Sequence, residues 1–340
     1  MNLAFYLPNG IYGGGERILL TLMSEMKKRG HKIIVYSTNK EVKLHVKQYK
    51  VEIHPQSKTK LLLSATKSLI YNKVDALIIF GTMTPYFVAA KFAKVKVIHS
   101  LRIDPSYIKM NKLGNWFVYH FSDAHVFQTN VVLNHFDNYI RKKSIVIFNP
   151  IMDDLPALSS NKEKKIAVVG RLSVEKNQRM AIEAFAKIQR NGYTMHIFGQ
   201  GPLEYELKEL VRYLNLENVV IFEGQVEKVV EKIKNYEILL LTSNSEGMPN
   251  ALIEGMAMGL ACITTNFPSG AAYELINNGE NGLIVEMNNV EQLSERLQVL
   301  INDLQLRRSI QINSAKIREK LEKESIISQW VELINKVLMK

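Results

Sequence analysis

Short apolar runs punctuate this chain at near-regular intervals, each followed by a stretch in which apolar and polar positions recur at helical spacing. The first half carries Leu3 to Leu7, Lys32 to Ser37, Ala76 to Phe80, Val95 to Ser100, Ala124 to Gln128 and Ile145 to Phe148. The second half repeats the rhythm with Ile166 to Val169, Met195 to Phe198, Val219 to Phe222, Ile238 to Leu241, Ala261 to Thr265 and Gly282 to Val285. Strand-helix alternation on this scale predicts an α/β protein whose parallel sheets are covered on both faces. Between the two sets, the stretch from Asn149 to Pro156 has two prolines and no periodicity, so the hinge between two domains is expected there. The expected domains are 1–150 and 151–324, with ligand in the cleft between them at the carboxyl ends of the strands. From about Val290 the pattern is helical to the end of the sequence.

At 340 residues the chain has room for two full cores. A hydrophobic content of 46% with 23% charged residues is ordinary for a globular protein. No apolar run reaches the roughly 18 to 20 residues that span a bilayer, and the N-terminus lacks a basic region followed by a long apolar core. The expectation is a cytoplasmic protein. The single cysteine, Cys262, cannot form an internal disulfide and lies in the apolar stretch Ala261-Cys262-Ile263, where it reads as a buried small hydrophobe.

Charge changes this picture more than composition does. Residues 1–150 hold 22 Lys and Arg against 8 Asp and Glu, a balance of +14, whereas residues 151–340 hold 22 against 25, a balance of −3. The basic half suits an anionic leaflet or a polyprenyl-diphosphate acceptor, since each basic residue near a membrane surface adds about 1 kcal/mol of attraction. A solvated Lys-rich surface is the plainer alternative. Nucleic acid is not expected: there is no zinc-knuckle, RRM or helix-turn-helix signature, and the lysines are scattered instead of striping one helix.

The candidate chemistry follows two strand ends. After Ile238 to Leu241 comes Ser245-Glu246-Gly247-Met248-Pro249-Asn250-Ala251-Leu252-Ile253-Glu254, with seven residues between two carboxylates. Pro249 suits the first helical turn and Gly259 the stop, so Glu246 belongs to a loop and Glu254 to a helix. The amides of about residues 249–252, those of Asn250 and Ala251 after Pro249, then point out of a helix N-terminus, a seat for a phosphate or a sugar oxygen. Glu254 is flanked by Ala251, Leu252, Ile253, Met256, Ala257 and Met258, an apolar setting in which a carboxylate needs a partner. After Ile166 to Val169 comes Gly170-Arg171-Leu172-Ser173-Val174-Glu175-Lys176-Asn177, where Arg171 offers a fork and Lys176 a point charge. Together these stretches read as a diphosphate clamp plus hydroxyl acceptors. Glu246 is not a glycoside-hydrolase nucleophile by this reading, because such enzymes need two carboxyl groups across one bond.

These motifs, with Gly13-Gly14-Gly15-Glu16-Arg17 after the first strand, Asn149-Pro150 at the junction and Phe198-Gly199-Gln200-Gly201-Pro202, occur in one order. The chain thereby resembles the retaining, nucleotide-sugar-dependent glycosyltransferases of GT-B fold, family 4, over nearly its whole length. The resemblance implies two Rossmann-like domains facing each other across a cleft: an acceptor domain 1–150, onto which a last helix at about 325–340 packs back with Trp330, and a donor domain 151–324. It implies Arg171 and Lys176 on the donor diphosphate, Glu254 on the ribose hydroxyls, Glu246 on hydroxyls of the transferred hexose, and Gly14 and Gly15 reaching the donor phosphate. His99, at the end of its strand, falls where the family often has an active-site histidine, and Arg102 stands where it meets an acceptor phosphate. Gly199 and Gly201 are expected to admit the nucleotide closely, and the backbone at Gly224 to read the base edge. The stretch Met248-Pro249-Asn250-Ala251 completes the donor contacts. No metal or other cofactor is expected, since Asp153-Asp154 lacks the DxD spacing of metal-dependent relatives.

The activity implied is transfer of a hexose or N-acetylhexosamine, with retention, from a nucleotide diphosphate sugar to a glycan hydroxyl. UDP is favoured by family frequency, and a lipid-linked acceptor in bacterial surface polysaccharide synthesis by the basic first half, with the protein peripheral on the inner face of the cell membrane. Two alternatives stay open: a non-catalytic subunit that binds a partner or glycan, and a sugar-nucleotide epimerase of the same fold. One departure concerns the loop Asn266-Phe267-Pro268-Ser269-Gly270-Ala271-Ala272-Tyr273-Glu274, where many relatives have Gly-Pro followed closely by Glu.

Overall fold

The computed structural model describes residues 1–7, 14–42, 46–81, 83–102, 104–105, 108 and 113–339. Gly13 of the glycine triplet lies outside the described residues. The chain forms two compact units, Met1–Pro150 with Glu324–Lys340, and Ile151–Lys323.

The first unit is built on a seven-stranded sheet of order β3-β2-β1-β4-β5-β6-β7. The strands are β1 (Asn2–Tyr6), β2 (Lys32–Ser37), β3 (Lys50–Ile53), β4 (Ala76–Phe80), β5 (Lys96–Ser100), β6 (Ala124–Phe127) and β7 (Ser144–Val146). All pairs are parallel, with Leu3 opposite Ile33 on one side and Ala76 on the other. Alternate residues of β1 serve opposite faces, as the two-residue period requires. Leu3 and Phe5 pack with Leu19, Leu22, Met23 and Met26 of the helix Gly14–Lys28, whereas Ala4 and Tyr6 pack with Leu61, Ala65 and Tyr86. The last helix, Lys323–Leu338, lies on the first of these faces. Its Trp330 is fully buried and stacks 5.9 Å from Phe80.

The second unit carries a six-stranded parallel sheet of order β10-β9-β8-β11-β12-β13. The strands are β8 (Glu163–Val169), β9 (Thr194–Phe198), β10 (Val220–Gly224), β11 (Tyr236–Leu241), β12 (Ala261–Thr265) and β13 (Leu283–Val285). Ile166, Val168, Ile238, Leu240 and Ile263 form one core with Phe185 and Met180 of the helix Gln178–Ala186 and Leu293, Leu297 and Leu300 of the helix Val290–Asn302. Cys262 is fully buried in β12, and burial pushes its thiol pKa far up.

Each apolar run singled out above falls on a strand, and the fold class is α/β with two parallel sheets. The sequence reading missed β3. Its residues, Lys50-Val51-Glu52-Ile53, are half charged because the strand stands at the sheet edge, where one side faces no neighbouring strand.

Candidate functional site

In a doubly wound sheet the crevice for a ligand opens where the strand order reverses, outside the carboxyl ends of the two strands concerned. In the second unit those strands are β8 and β11, adjacent and parallel, with Ile166 opposite Ile238 and Val168 opposite Leu240. The loops leaving them carry Gly170 to Asn177 and Thr242 to Pro249. Topology alone therefore brings the two charged motifs of this unit to one place.

Lys176 and Glu246 meet there. The Lys176 ammonium donates to Glu246 Oε1 at 2.5 Å, and the Ser243 hydroxyl donates to the same oxygen at 2.8 Å. The carboxylate is 11% exposed and the lysine 29%, so the pair is shielded from water yet reachable. The loops are tied below the pair: Asn244 N–H donates to the Glu175 carbonyl at 2.7 Å, and the Thr242 hydroxyl to the Asn177 carbonyl at 2.9 Å. Thr265, at the end of β12, and Ser269, beyond it, brace the Glu246 loop, donating to the carbonyls of Ser243 and Gly247. The sequence reading gave Lys176 to phosphate and Glu246 to sugar separately; the structure makes them partners of each other. Arg171 instead points outward, its side chain 70% exposed and 3.6 Å from Glu175. Glu175 is held below the usual carboxylate range by the Ser173 hydroxyl and by its own backbone N–H, with Arg171 and Lys176 adding to the effect.

The helix after Glu246 runs Asn250–Ala257, and Pro249 occupies its N-cap instead of the expected first turn. The first backbone amides of the helix are then those of Asn250 and Ala251. Gly259, in the left-handed region at φ +65°, ends the helix as expected: its N–H donates to the Met256 carbonyl, and that of Leu260 to the Gly255 carbonyl. Glu254 is buried on this helix, and Met248 and Pro249 are buried at its start. Glu274 stands fourth in the short helix Ala271–Leu275, after Gly270.

The glycines of Phe198 to Pro202 have a different cause from the one expected. A Cβ on Gly199 would lie 2.0 Å from the Gly170 carbonyl oxygen, and one on Gly201 would lie 2.2 Å from that of Leu172. The close approach is thus between two backbone segments, locked by hydrogen bonds from Gly170 to Phe198 and from Leu172 to Gln200. These glycines seat the Arg171 loop. Gly224 takes a left-handed φ of +69°, and its carbonyl accepts from Gly199 N–H at 2.7 Å.

In the first unit the strand order reverses between β1 and β4. A cavity of about 170 Å³ opens there, lined by Leu7, Gly15, Glu16, Leu19, Phe80, Gly81 and Arg102. Gly14 and Gly15 are the first residues of the helix Gly14–Lys28, not members of a loop. Arg102 lies over the Phe80 ring at 4.2 Å and donates to Asn149 Oδ1 at 2.5 Å and to Ser100 Oγ at 3.2 Å. Desolvation brings its pKa down to about 9.

His99 is fully buried in β5, with Nδ1 3.2 Å from His125 Nδ1 and Tyr119 edge-on at 5.1 Å. Burial lowers its pKa to about 4 and that of His125 well below the ordinary value, so both rings are neutral near pH 7. Its ring faces protein, not an open crevice. Nothing in the sequence marked His125 or Ser243: His125 meets His99 from a different strand, and Ser243 joins the pair of Lys176 and Glu246, which come from separate loops.

Residues 154–317 match the family model "Glycosyl transferases group 1". The chain is 28% identical over 360 residues, 99% of each chain, to the GalNAc-alpha-(1->4)-GalNAc-alpha-(1->3)-diNAcBac-PP-undecaprenol alpha-1,4-N-acetyl-D-galactosaminyltransferase of Campylobacter jejuni. It is 33% identical over 186 residues, 53% of this chain and 50% of the other, to that organism's N-acetylgalactosamine-N,N'-diacetylbacillosaminyl-diphospho-undecaprenol 4-alpha-N-acetylgalactosaminyltransferase. Among solved structures, Alr3699/HepE of Anabaena in complex with UDP superposes with a TM-score of 0.87 at 19% identity, covering 99% of this chain and all of the other.

Proposed function

We propose that this chain, a glycosyltransferase of the GT-B fold, moves a hexose or N-acetylhexosamine from a UDP-linked donor to a hydroxyl of a lipid-linked glycan, with retention, as a member of family 4. The observation that carries the donor side is the Lys176–Glu246 pair in the crevice between the β8 and β11 ends. A diphosphate entering there brings more negative charge than a single carboxylate and competes for the Lys176 ammonium. Arg171, free in solvent apart from Glu175, swings to the same phosphates, and the Asn250 and Ala251 amides face them from the helix N-terminus. Glu246, relieved of its lysine, accepts hydrogen bonds from the sugar hydroxyls, while Glu254 holds the ribose.

In the reaction the bond between the anomeric carbon and the diphosphate oxygen breaks and a bond to the acceptor oxygen forms on the same face. The acceptor proton passes to the departing phosphate. Arg171, Lys176 and the helix amides stabilise the charge that builds on the leaving group, the term that contributes most in such sites. These cations make a metal ion unnecessary. The lipid-linked acceptor is supported by the two Campylobacter relatives, whose names place their glycans on diphospho-undecaprenol, and by the +14 balance of residues 1–150.

The test is to incubate the protein with a panel of UDP-sugars and a synthetic undecaprenyl-diphosphate oligosaccharide, reading product by mass spectrometry and its anomeric configuration by NMR. One added sugar with the donor's configuration, lost in Lys176→Ala and unaffected by EDTA, is expected. An inverted product, or an EDTA-sensitive one, would overturn the corresponding part of the reading.

A further inference from the structure

The helix Leu113–Phe121 has the apolar spacing of a core helix on its outer side. Leu113, Trp116, Phe117 and Phe121 are 72%, 40%, 40% and 50% exposed, while Val118 and Tyr119 on the other side are buried. Gly114 fixes the orientation: a Cβ there would lie 2.8 Å from the Thr84 hydroxyl, so this side of the helix abuts the helix Thr84–Phe92 and the aromatic side faces out. The exposed rings form one patch, with centroids 5.3 Å apart for Trp116–Phe117, 5.9 Å for Trp116–Phe121 and 5.5 Å for Phe117–Phe121. His120 extends it, stacked on Trp116 at 4.4 Å and on exposed Tyr139 at 5.9 Å. A contiguous exposed aromatic patch on a soluble protein marks an interaction surface.

Its flank is basic. Lys143 Nζ sits 4.5 Å from the Tyr139 ring centre, and Arg141 and Lys142 are exposed beside Tyr139 at the end of the helix Asn138–Arg141. Among the described residues two carboxylates stand near this flank: Asp137 lies 3.7 Å from His120 Nε2, and Asp123 acts with it on Lys143. Aromatic rings flanked on one side by cations match the interface of an anionic bilayer, where Trp and Phe enter the headgroup boundary and Lys and Arg meet lipid phosphates. No described helix is long and apolar enough to cross a membrane, so this contact would be peripheral.

We infer that Leu113, Trp116, Phe117 and Phe121 insert into the surface of an anionic phospholipid membrane, with Arg141 and Lys142 on its headgroups. The inference deepens the lipid-linked reading of the acceptor, and its test needs neither donor nor acceptor. Of the two tryptophans, Trp330 is 1% exposed, so a change of emission on adding lipid reports Trp116. Vesicles of phosphatidylglycerol and phosphatidylcholine in equal parts are expected to shift the emission to the blue, with no shift in Trp116→Phe. Phe117→Ser with Phe121→Ser, both at exposed positions, is expected to lower the bound fraction at least tenfold in flotation, and Arg141→Glu with Lys142→Glu likewise. Unchanged thermal melting shows that these variants fold. Equal binding to pure phosphatidylcholine would overturn the electrostatic part. No emission shift, or a patch buried instead in a dimer seen by analytical ultracentrifugation, would overturn the whole. If transfer to a detergent-solubilised acceptor persists when vesicle binding fails, the docking inference falls and the proposed activity stands.

Discussion

An ammonium and a carboxylate in hydrogen-bond contact within a shielded crevice stabilise each other, and a ligand that takes one must leave the other satisfied. In the proposed reaction a sugar diphosphate does both, its phosphates taking Lys176 and its hydroxyls Glu246. Glu246→Gln is therefore expected to retain UDP affinity within about tenfold while transfer falls at least about 100-fold, near 2.7 kcal/mol of barrier; calorimetry and steady-state rates separate the two. Arg171 makes no contact that the fold needs, so Arg171→Ala should leave stability within about 0.5 kcal/mol yet weaken UDP binding, a combination a merely structural residue would not give. His99 gives a pH prediction. Its pKa is about 4 in the fold and near 6.5 in an unfolded chain, so the unfolded state binds the extra proton and stability is lost as pH falls from about 6.5 towards 4. His125, shifted in the same direction, adds to the loss. The urea midpoint of the first unit should drop between pH 7 and pH 5, and His99→Asn should flatten that drop; a flat profile in the wild type would contradict this account.

At the scale of elements, the strands were legible because parallel strands buried on both faces are apolar throughout, and a run such as Ile238 to Leu241 admits few other readings. The edge strand β3 was not, since half its residues are charged. The loop after β11 was legible through Pro249 and Gly259, although the helix begins one residue later than a proline in its first turn would place it. What stayed hidden is what depends on two segments meeting. The sequence offers Gly199 and Gly201 as an opening for a ligand; only their distance from the Gly170 and Leu172 carbonyls shows that they make room for backbone. Gly199→Ala is accordingly expected to cost about 2 to 4 kcal/mol, the range of severe strain and overpacking, and to displace the Arg171 loop. A melting temperature within a degree of wild type would refute that role. His99 likewise looked like a site residue at a strand end, and only the neighbouring β6 reveals His125 against it.

For the whole molecule, both sheets present a reversal of strand order, and among the described residues the second unit brings a paired lysine and glutamate, an exposed arginine and a helix N-terminus to it. The first unit offers a small cavity by Arg102, the aromatic patch of Leu113–Phe121 and the excess of positive charge. The proposed function accordingly assigns the nucleotide to the second unit and the acceptor to the first. The charge asymmetry was plain in the sequence, whereas the patch was not, because its spacing is that of an ordinary buried helix face. The most direct test of the central claim is a calorimetric titration of UDP into the full chain, wild type and Lys176→Ala, in buffer containing EDTA. The account predicts saturable binding by the wild type and affinity at least tenfold weaker, about 1.4 kcal/mol, in the variant. Equal binding by both, or none by the wild type, would contradict a donor site built on Lys176.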